Sequence, residues 1–261
     1  SGDFKIVREL SDLAPADFES MDCLLVQLGI PVTQKMMNQA PNLKYVGSLV
    51  TSFNKIDTIY AKQKGIVVTN VQGYSTNAVA EFVFGVILEN IRELSRAKKE
   101  ANEGKYSDEG FNGSEITGKT FGVIGLGQIG TKTATIAKGF GCNVLYWSRN
   151  RKPEMEKEGI QYEDLDKLLQ KSDLLSIHLA SNSSTEGILN AKRIMAIKKN
   201  AVVVNTCNLA LLDTTSLEKR LAEKELFYIT YAAVNSPPNA EISERLKKHS
   251  GYVIYPRLTY K

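Results

Sequence analysis

The densest run of residues able to hold a ligand is Lys119-Thr120-Phe121-Gly122-Val123-Ile124-Gly125-Leu126-Gly127-Gln128-Ile129-Gly130. An apolar stretch that reads as a buried strand enters a GxGxxG turn, and helical spacing follows through Thr131, Ala134, Ile136 and Ala137. Glycine at Gly125 permits the tight turn, at Gly127 lets a pyrophosphate approach the backbone, and at Gly130 lets helix pack on strand. The phosphates then sit at the helix N-terminus, where N–H groups point at them. A Gly-rich turn without a ligand is the alternative for so short a pattern. The strand before, the helix after and a second strand at the right distance favour a dinucleotide site built on Gly125, Gly127, Gln128, Ile129 and Gly130.

The second strand, Val144–Trp147, runs into Ser148-Arg149-Asn150-Arg151-Lys152. An NAD-preferring site places an acidic residue here to accept hydrogen bonds from the ribose hydroxyls. This chain has Ser148, then Arg149. A carboxylate repels a 2′-phosphate, whereas a hydroxyl and a guanidinium bind one through charge-assisted bonds. The expected cofactor is therefore NADP(H) in preference to NAD(H), with Ser148, Arg149 and Asn150 at the ribose. The alternative is a merely solvated basic loop.

Short β-branched runs must position these residues: Cys23–Val26, Tyr45–Val50, Val67–Asn70, Phe121–Ile124, Val144–Trp147, Leu174–His178, Ala201–Asn205, Leu226–Tyr231 and Tyr252–Ile254. Several are apolar throughout, as strands covered on both faces require, and helical patterns alternate with them. The class is α/β with mostly parallel sheets. A long helix begins at Thr76, with Val79, Phe82, Val83, Val86, Ile87, Ile91 and Leu94 at helical spacing, before charge takes over from Arg92 to Glu103. A polar, Gly-dotted stretch follows to Gly118. The expected division is a first domain over 1–92 and a dinucleotide-binding domain over 93–261, with 93–118 as linker and arm.

The 261 residues are 43% apolar and 24% charged with a net charge of +4, the composition of a globular protein with a real core. The basic excess is too small and dispersed to argue for nucleic acid. No stretch approaches the ~18 apolar residues of a membrane span, and the first residues lack a signal-peptide pattern. Three cysteines without a CxxC argue against a disulfide framework or a metal site. A cytoplasmic protein is expected.

Pro41-Asn42-Leu43-Lys44-Tyr45-Val46-Gly47, Phe53-Asn54-Lys55-Ile56-Asp57, Gly65 to Val71 and Ser75-Thr76-Asn77-Ala78-Val79-Ala80-Glu81 resemble the D-2-hydroxyacid dehydrogenase family. The stretches Gly118 to Gly130, Ser172 to Leu179 and Val204-Asn205-Thr206 continue the match in the family's order, from about residue 20 onward. The resemblance implies a flavodoxin-like substrate domain, a Rossmann-type dinucleotide domain, and an active site in the cleft between them. It also implies a homodimer built through the nucleotide domains and the arm. Thr76, His178 and Thr206 correspond to cofactor-lining positions. Val50-Thr51-Ser52 corresponds to the stretch whose backbone amides hold a small anionic substrate, with Ser52 in place of a glycine.

The family's three catalytic side chains are absent. Asn205-Thr206-Cys207 leads to Asn208 where the pattern has arginine, and to Leu209 where glycine is usual. Ala232-Ala233-Val234-Asn235-Ser236-Pro237-Pro238 offers no glutamate, and Tyr255-Pro256-Arg257 stands where Thr-Pro-His is expected. Arg257 keeps its charge near neutral pH and cannot exchange a proton. Asn208 brings no charge to a carboxylate. His178 reads as a structural histidine, His249 as part of a solvated helix end, and Cys207 as an inert buried thiol. Tyr255 or Tyr260 beside Arg257 would act as a general acid if the cation lowered its pKa, the alternative being aromatic packing. Three activities follow: a nucleotide-binding homologue without ordinary 2-oxo acid reduction, an NADP-dependent oxidoreductase using Asn208, Arg257 and Tyr255, or an isomerase or lyase with retained nucleotide.

Overall fold

The computed structural model describes residues 3–7, 9–27, 30–51, 53–231, 237–256 and 258. The chain divides into two compact units, Ser1–Tyr74 and Ser75–Lys261.

In the first unit, β1 (Cys23–Val26), β2 (Tyr45–Ser48) and β3 (Val67–Asn70) form a parallel sheet in that order. The helix Gln34–Gln39 starts where the Thr33 hydroxyl accepts from the Met36 N–H, and Thr58–Gln63 starts where Asp57 accepts from the Tyr60 N–H. These helices supply Met36, Met37 and Ala61 to a core with Leu24, Val26, Val46 and Ile66.

The second unit carries β4 (Thr120–Ile124), β5 (Asn143–Trp147), β6 (Gln161–Tyr162), β7 (Leu174–Ile177), β8 (Ala201–Asn205), β9 (Leu226–Tyr231) and β10 (Tyr252–Tyr255). They lie in the order β10-β9-β8-β7-β4-β5-β6, and every pairing is parallel. The chain builds outward from β4 in one direction, then returns to lay β7 on its other side. That reversal is the switch point of a doubly wound sheet, where ligands bind outside the carboxyl ends of the strands. Every residue of β7 and β8 is buried, so the uniformly apolar runs are explained by helices on both faces.

The division between the units comes earlier than the expected one after residue 92. The helix Thr76–Ile91 buries Val83, Phe84, Val86 and Ile87 in one core with Phe121, Val123, Ala134 and Ala137. Phe84 stacks between Phe121 and Phe140, with ring centroids 5.4 Å and 5.2 Å away. Helical periodicity shows that a face is buried but not which sheet buries it. Where charge takes over, Glu93 adopts a left-handed φ of 50° and a second helix, Leu94–Asn102, begins with no buried residue. Arg96 ties this arm together by bonding Glu93, Glu100 and the Gly110 carbonyl and by lying over the Phe111 ring.

No helix among the described residues is long and apolar enough to cross a membrane. Among them, no group of three or more His, Cys, Asp or Glu residues is arranged to hold a metal.

Candidate functional site

The glycine turn leaves β4 at the switch point. Gly125 has φ +98°, and a Cβ there would stand 2.6 Å from the His178 carbonyl oxygen. Its N–H donates to Trp147 O at 2.8 Å, while His178 N–H donates to Ile124 O at 2.8 Å, so the ends of β5, β4 and β7 are laced together. A Cβ on Gly130 would lie 1.9 Å from Gly125 O, whereas one on Gly127 would meet nothing within 4 Å. Tight packing at two glycines and open space at the third are what a bound pyrophosphate requires. Gly127 caps the helix Gln128–Gly139 without a side chain, and the first helical bond is Thr131 N–H to Gly127 O at 2.8 Å. The N–H groups of Gln128, Ile129 and Gly130 therefore have no intrahelical acceptor and face an anion site at the positive end of the helix.

At the end of β5, half-buried Ser148 donates its hydroxyl to the Asn150 carbonyl. Arg151 pairs with Glu156 and lies over the Tyr162 ring at 4.9 Å. Bonds from Arg151 and from the Tyr146 hydroxyl hold the Glu156 carboxyl below its usual range. Arg149 is exposed and has a different partner: its Nη2 donates to the Ser184 hydroxyl, on the loop after β7. Among the described residues no carboxylate pairs with it.

His178 sits at the end of β7, its Nε2 bonded to the Ser176 hydroxyl at 2.8 Å. Its Nδ1 is buried without a partner among the described residues, and burial lowers its pKa to about 3. The ring is neutral at physiological pH and is no proton donor there. A buried polar atom rarely stays unpaired in a native fold, and this one belongs to a residue at the strand end beside the glycine turn. The orphaned nitrogen, the open space at Gly127 and the free helix N–H groups all fit a dinucleotide cofactor.

At the end of β8, buried Asn205 donates to Tyr228 Oη at 2.7 Å and accepts from Cys207 N–H at 2.8 Å. Thr206 O accepts from the Tyr231 hydroxyl. The Cys207 thiol donates to Ile177 O, and burial pushes its pKa up to about 12. Asn208 turns its side-chain oxygen back to accept from Ala210 N–H at 2.9 Å, capping the short 3-10 turn Leu209–Leu211. Leu209 is buried in the core with Leu211 and Leu212.

Tyr255, at the end of β10, donates its hydroxyl to Glu89 and sets its ring edge-on to Phe82 at 5.8 Å. Burial and the Glu89 carboxylate both raise its pKa. The expectation of a cation lowering it meets the opposite environment: Tyr255 stays a neutral phenol. Thr76 opens its helix half-buried. In the first unit, the Val50–Thr51 segment is tied to the end of β3, with Asn70 Nδ2 donating to Thr51 O at 2.6 Å and Thr51 Oγ1 to Val71 O at 3.0 Å. Arg257, Ser52, Ser236, Thr259 and Tyr260 lie outside the described residues.

Residues 84–257 match the family model described as D-isomer specific 2-hydroxyacid dehydrogenase, NAD binding domain. The chain belongs to this family. It is 38% identical over 210 residues to a glyoxylate reductase of Aeropyrum pernix, covering 77% of this chain and 63% of that protein. This chain thus spans less than two thirds of that relative's length. Among solved structures it is similar to the D-lactate dehydrogenase of Aquifex aeolicus complexed with NAD and lactic acid (TM-score 0.86, 26% identity, 97% of this chain and 80% of that one). It is also similar to an acyclic imino acid reductase in complex with NADPH and D-Arg (TM-score 0.81, 30% identity, 95% and 78%).

As a D-2-hydroxyacid dehydrogenase family member, the chain carries a nicotinamide dinucleotide-binding domain of Rossmann type. The expected residues Gly125, Gly127, Gln128, Ile129, Gly130, Ser148, Arg149, Asn150, His178 and Thr206 all fall at the carboxyl ends of β4, β5, β7 and β8. Ser184, Ser176 and Glu89 were not among the sequence-based candidates. Serine and glutamate at such spacings carry no motif, and only the fold brings them to Arg149, His178 and Tyr255.

Proposed function

We propose that this chain binds NADP(H) and does not carry out ordinary 2-oxo acid reduction. The carrying observation is the end of β8. Asn208, where the family pattern has arginine, caps a turn, and Leu209, where glycine is usual, is part of the core. That segment supports the fold and supplies no cation for a substrate carboxylate. The chain has two histidines. His178 is neutral, and His249 lies 3.7 Å from Glu218 on a helix end. Neither matches the family's acid/base position.

On this reading Gly125 to Gly130 hold the pyrophosphate, Ser148, Arg149 and Asn150 hold the adenosine ribose and its phosphate, and His178, Thr206 and Thr76 line the remainder. When bound, the nicotinamide supplies or accepts a hydride. The chain's own residues orient it but offer no group that exchanges a proton near pH 7 at the family's position. The test is a screen with NADPH against glyoxylate, hydroxypyruvate, pyruvate and branched 2-oxo acids. No turnover is expected, and turnover at dehydrogenase rates refutes the reading.

The second reading, an NADP-dependent reductase acting on an unusual small acid through Asn208, Arg257 and Tyr255, is favoured by the likeness to the imino acid reductase. NADPH consumption on mixing a 2-oxo acid with an amine, absent with either alone, would establish it. A homodimer through the nucleotide domains and the 93–118 arm accords with the helix Leu94–Asn102, which buries none of its residues within the chain. Light scattering checks it. The free thiols Cys23, Cys142 and Cys207 accord with a reducing, cytoplasmic setting.

A further inference from the structure

We propose that Ser184 is a positioning residue that aims the Arg149 guanidinium at the 2′-phosphate of NADP(H), a role that rests on the NADP(H) reading above. β5 and β7 flank β4 in the sheet. The bond from Arg149 Nη2 to Ser184 Oγ therefore joins the loops on either side of the glycine turn.

Ser184 is itself held. Its hydroxyl donates to Asn182 Oδ1 at 2.6 Å, and its N–H donates to the same oxygen at 3.0 Å. Asn182 N–H donates to Thr185 Oγ1 at 3.0 Å, and buried Thr185 donates onward to Ala180 O at 2.6 Å. The order of these bonds fixes the polarity of the chain. Because the Ser184 proton is committed to Asn182, its oxygen meets Arg149 only as an acceptor, and a guanidinium can only donate. One of the donors of Arg149 is anchored, and the rest of the planar fork stays open toward an anion.

An exposed arginine loses rotamer freedom when it grips a phosphate, and anchoring it beforehand reduces that loss. NADH presents a hydroxyl instead of the phosphate, so the anchor acts on NADPH alone. Ser184 thus sets cofactor preference without touching the cofactor.

The experiment is isothermal titration of the full chain with NADPH and NADH, using R149A, S184A, S184T and the R149A/S184A pair. Arg149→Ala is expected to weaken NADPH by about 10- to 100-fold, the loss of a charge-assisted bond, with NADH unchanged. Ser184→Ala is expected to weaken NADPH by about 5-fold with NADH within about 2-fold, the scale of one neutral hydrogen bond. S184T restores the affinity, and S184A adds nothing on top of R149A. If R149A weakens NADPH while S184A leaves it unchanged, strengthens it, or weakens both cofactors alike, the positioning role fails and the NADP(H) reading stands. If R149A leaves NADPH unchanged, the positioning role fails; if the wild type binds no NADPH, or prefers NADH, the NADP(H) reading fails and the positioning role with it.

Discussion

The carbonyl oxygen of Gly125 stands 1.9 Å from where a Cβ of residue 130 would lie, so the turn and the first helical turn behind it fit only if both glycines are kept. Gly130→Ala drives a methyl into backbone that cannot move aside. Overpacking of this kind costs about 1–3 kcal/mol, and the expected outcome in denaturant titration is a lowered midpoint together with lost nucleotide binding. Gly127→Ala separates the two effects. Its φ is −78° and nothing lies within 4 Å, so alanine fits without strain, and stability should change by less than about 1 kcal/mol as the entropy gain offsets a poorer N-cap. Nucleotide affinity should still fall at least about tenfold, because the methyl occupies the approach of the pyrophosphate.

The cap at Asn208 and the buried Leu209 predict a stability cost for substitutions in the segment after β8. Asn208→Ala is expected to cost about 0.5–1 kcal/mol by removing a cap. Leu209→Ala is expected to cost about 2–4 kcal/mol by emptying a core site. Thermal or urea unfolding checks both. The combined variant Asn208→Arg, Ser236→Glu, Arg257→His is expected to gain weak 2-oxo acid reductase activity at reduced stability. No gain with nucleotide binding intact would point to Leu209 as a further obstacle.

His178 predicts a pH dependence. Its folded-state pKa, about 3, lies below the ordinary 6.5, so the unfolded chain binds its proton first as pH falls. The contribution of the neutral buried ring is fully present above about pH 6.5 and is lost as pH falls toward about 3, with a slope of at most about 1.4 kcal/mol per pH unit. Urea unfolding of the wild type and His178→Gln across this range should give curves that converge as the pH drops. Parallel curves would show that the ring titrates normally in the folded state.

Tyr255 and Glu89 are 166 residues apart in sequence and joined by one hydrogen bond. Tyr255→Phe removes the donor while the Ser95 hydroxyl still serves the Glu89 carboxylate. The expected cost is about 1–2 kcal/mol, with NADPH affinity unchanged. Loss of an NADPH-consuming activity in Y255F would assign the phenol to substrate and favour the reductase reading.

What was legible in the chain follows from which signals are local. A strand, a GxGxxG turn and a helix are contiguous, so β4, the turn and the helix Gln128–Gly139 could be read directly, as could Ser148 and Arg149 at the end of β5. β6 was missed because Gln161–Tyr162 is two residues long and half polar, without the alternation or apolar run that marks a strand. The helix Thr76–Ile91 was visible but not its owner, since its apolar face fits any sheet until Phe84 is seen between Phe121 and Phe140. The surroundings of Tyr255 were hidden for the same reason. Arg257, a neighbour in sequence, suggested a cation, but the fold brings Glu89 to the hydroxyl. Asn208, where the resemblance leads one to expect an arginine, stands out in the sequence, yet its use as a cap emerges only with the turn that follows.

One fluorescence experiment joins both halves of the account. NADPH is added to the protein until its emission reports a bound population, and glyoxylate is then added in excess while absorbance of the reduced nicotinamide is followed. Binding is expected, then no decay beyond the protein-free control. Decay at an ordinary enzymatic rate, about 1–1,000 per second, would contradict it.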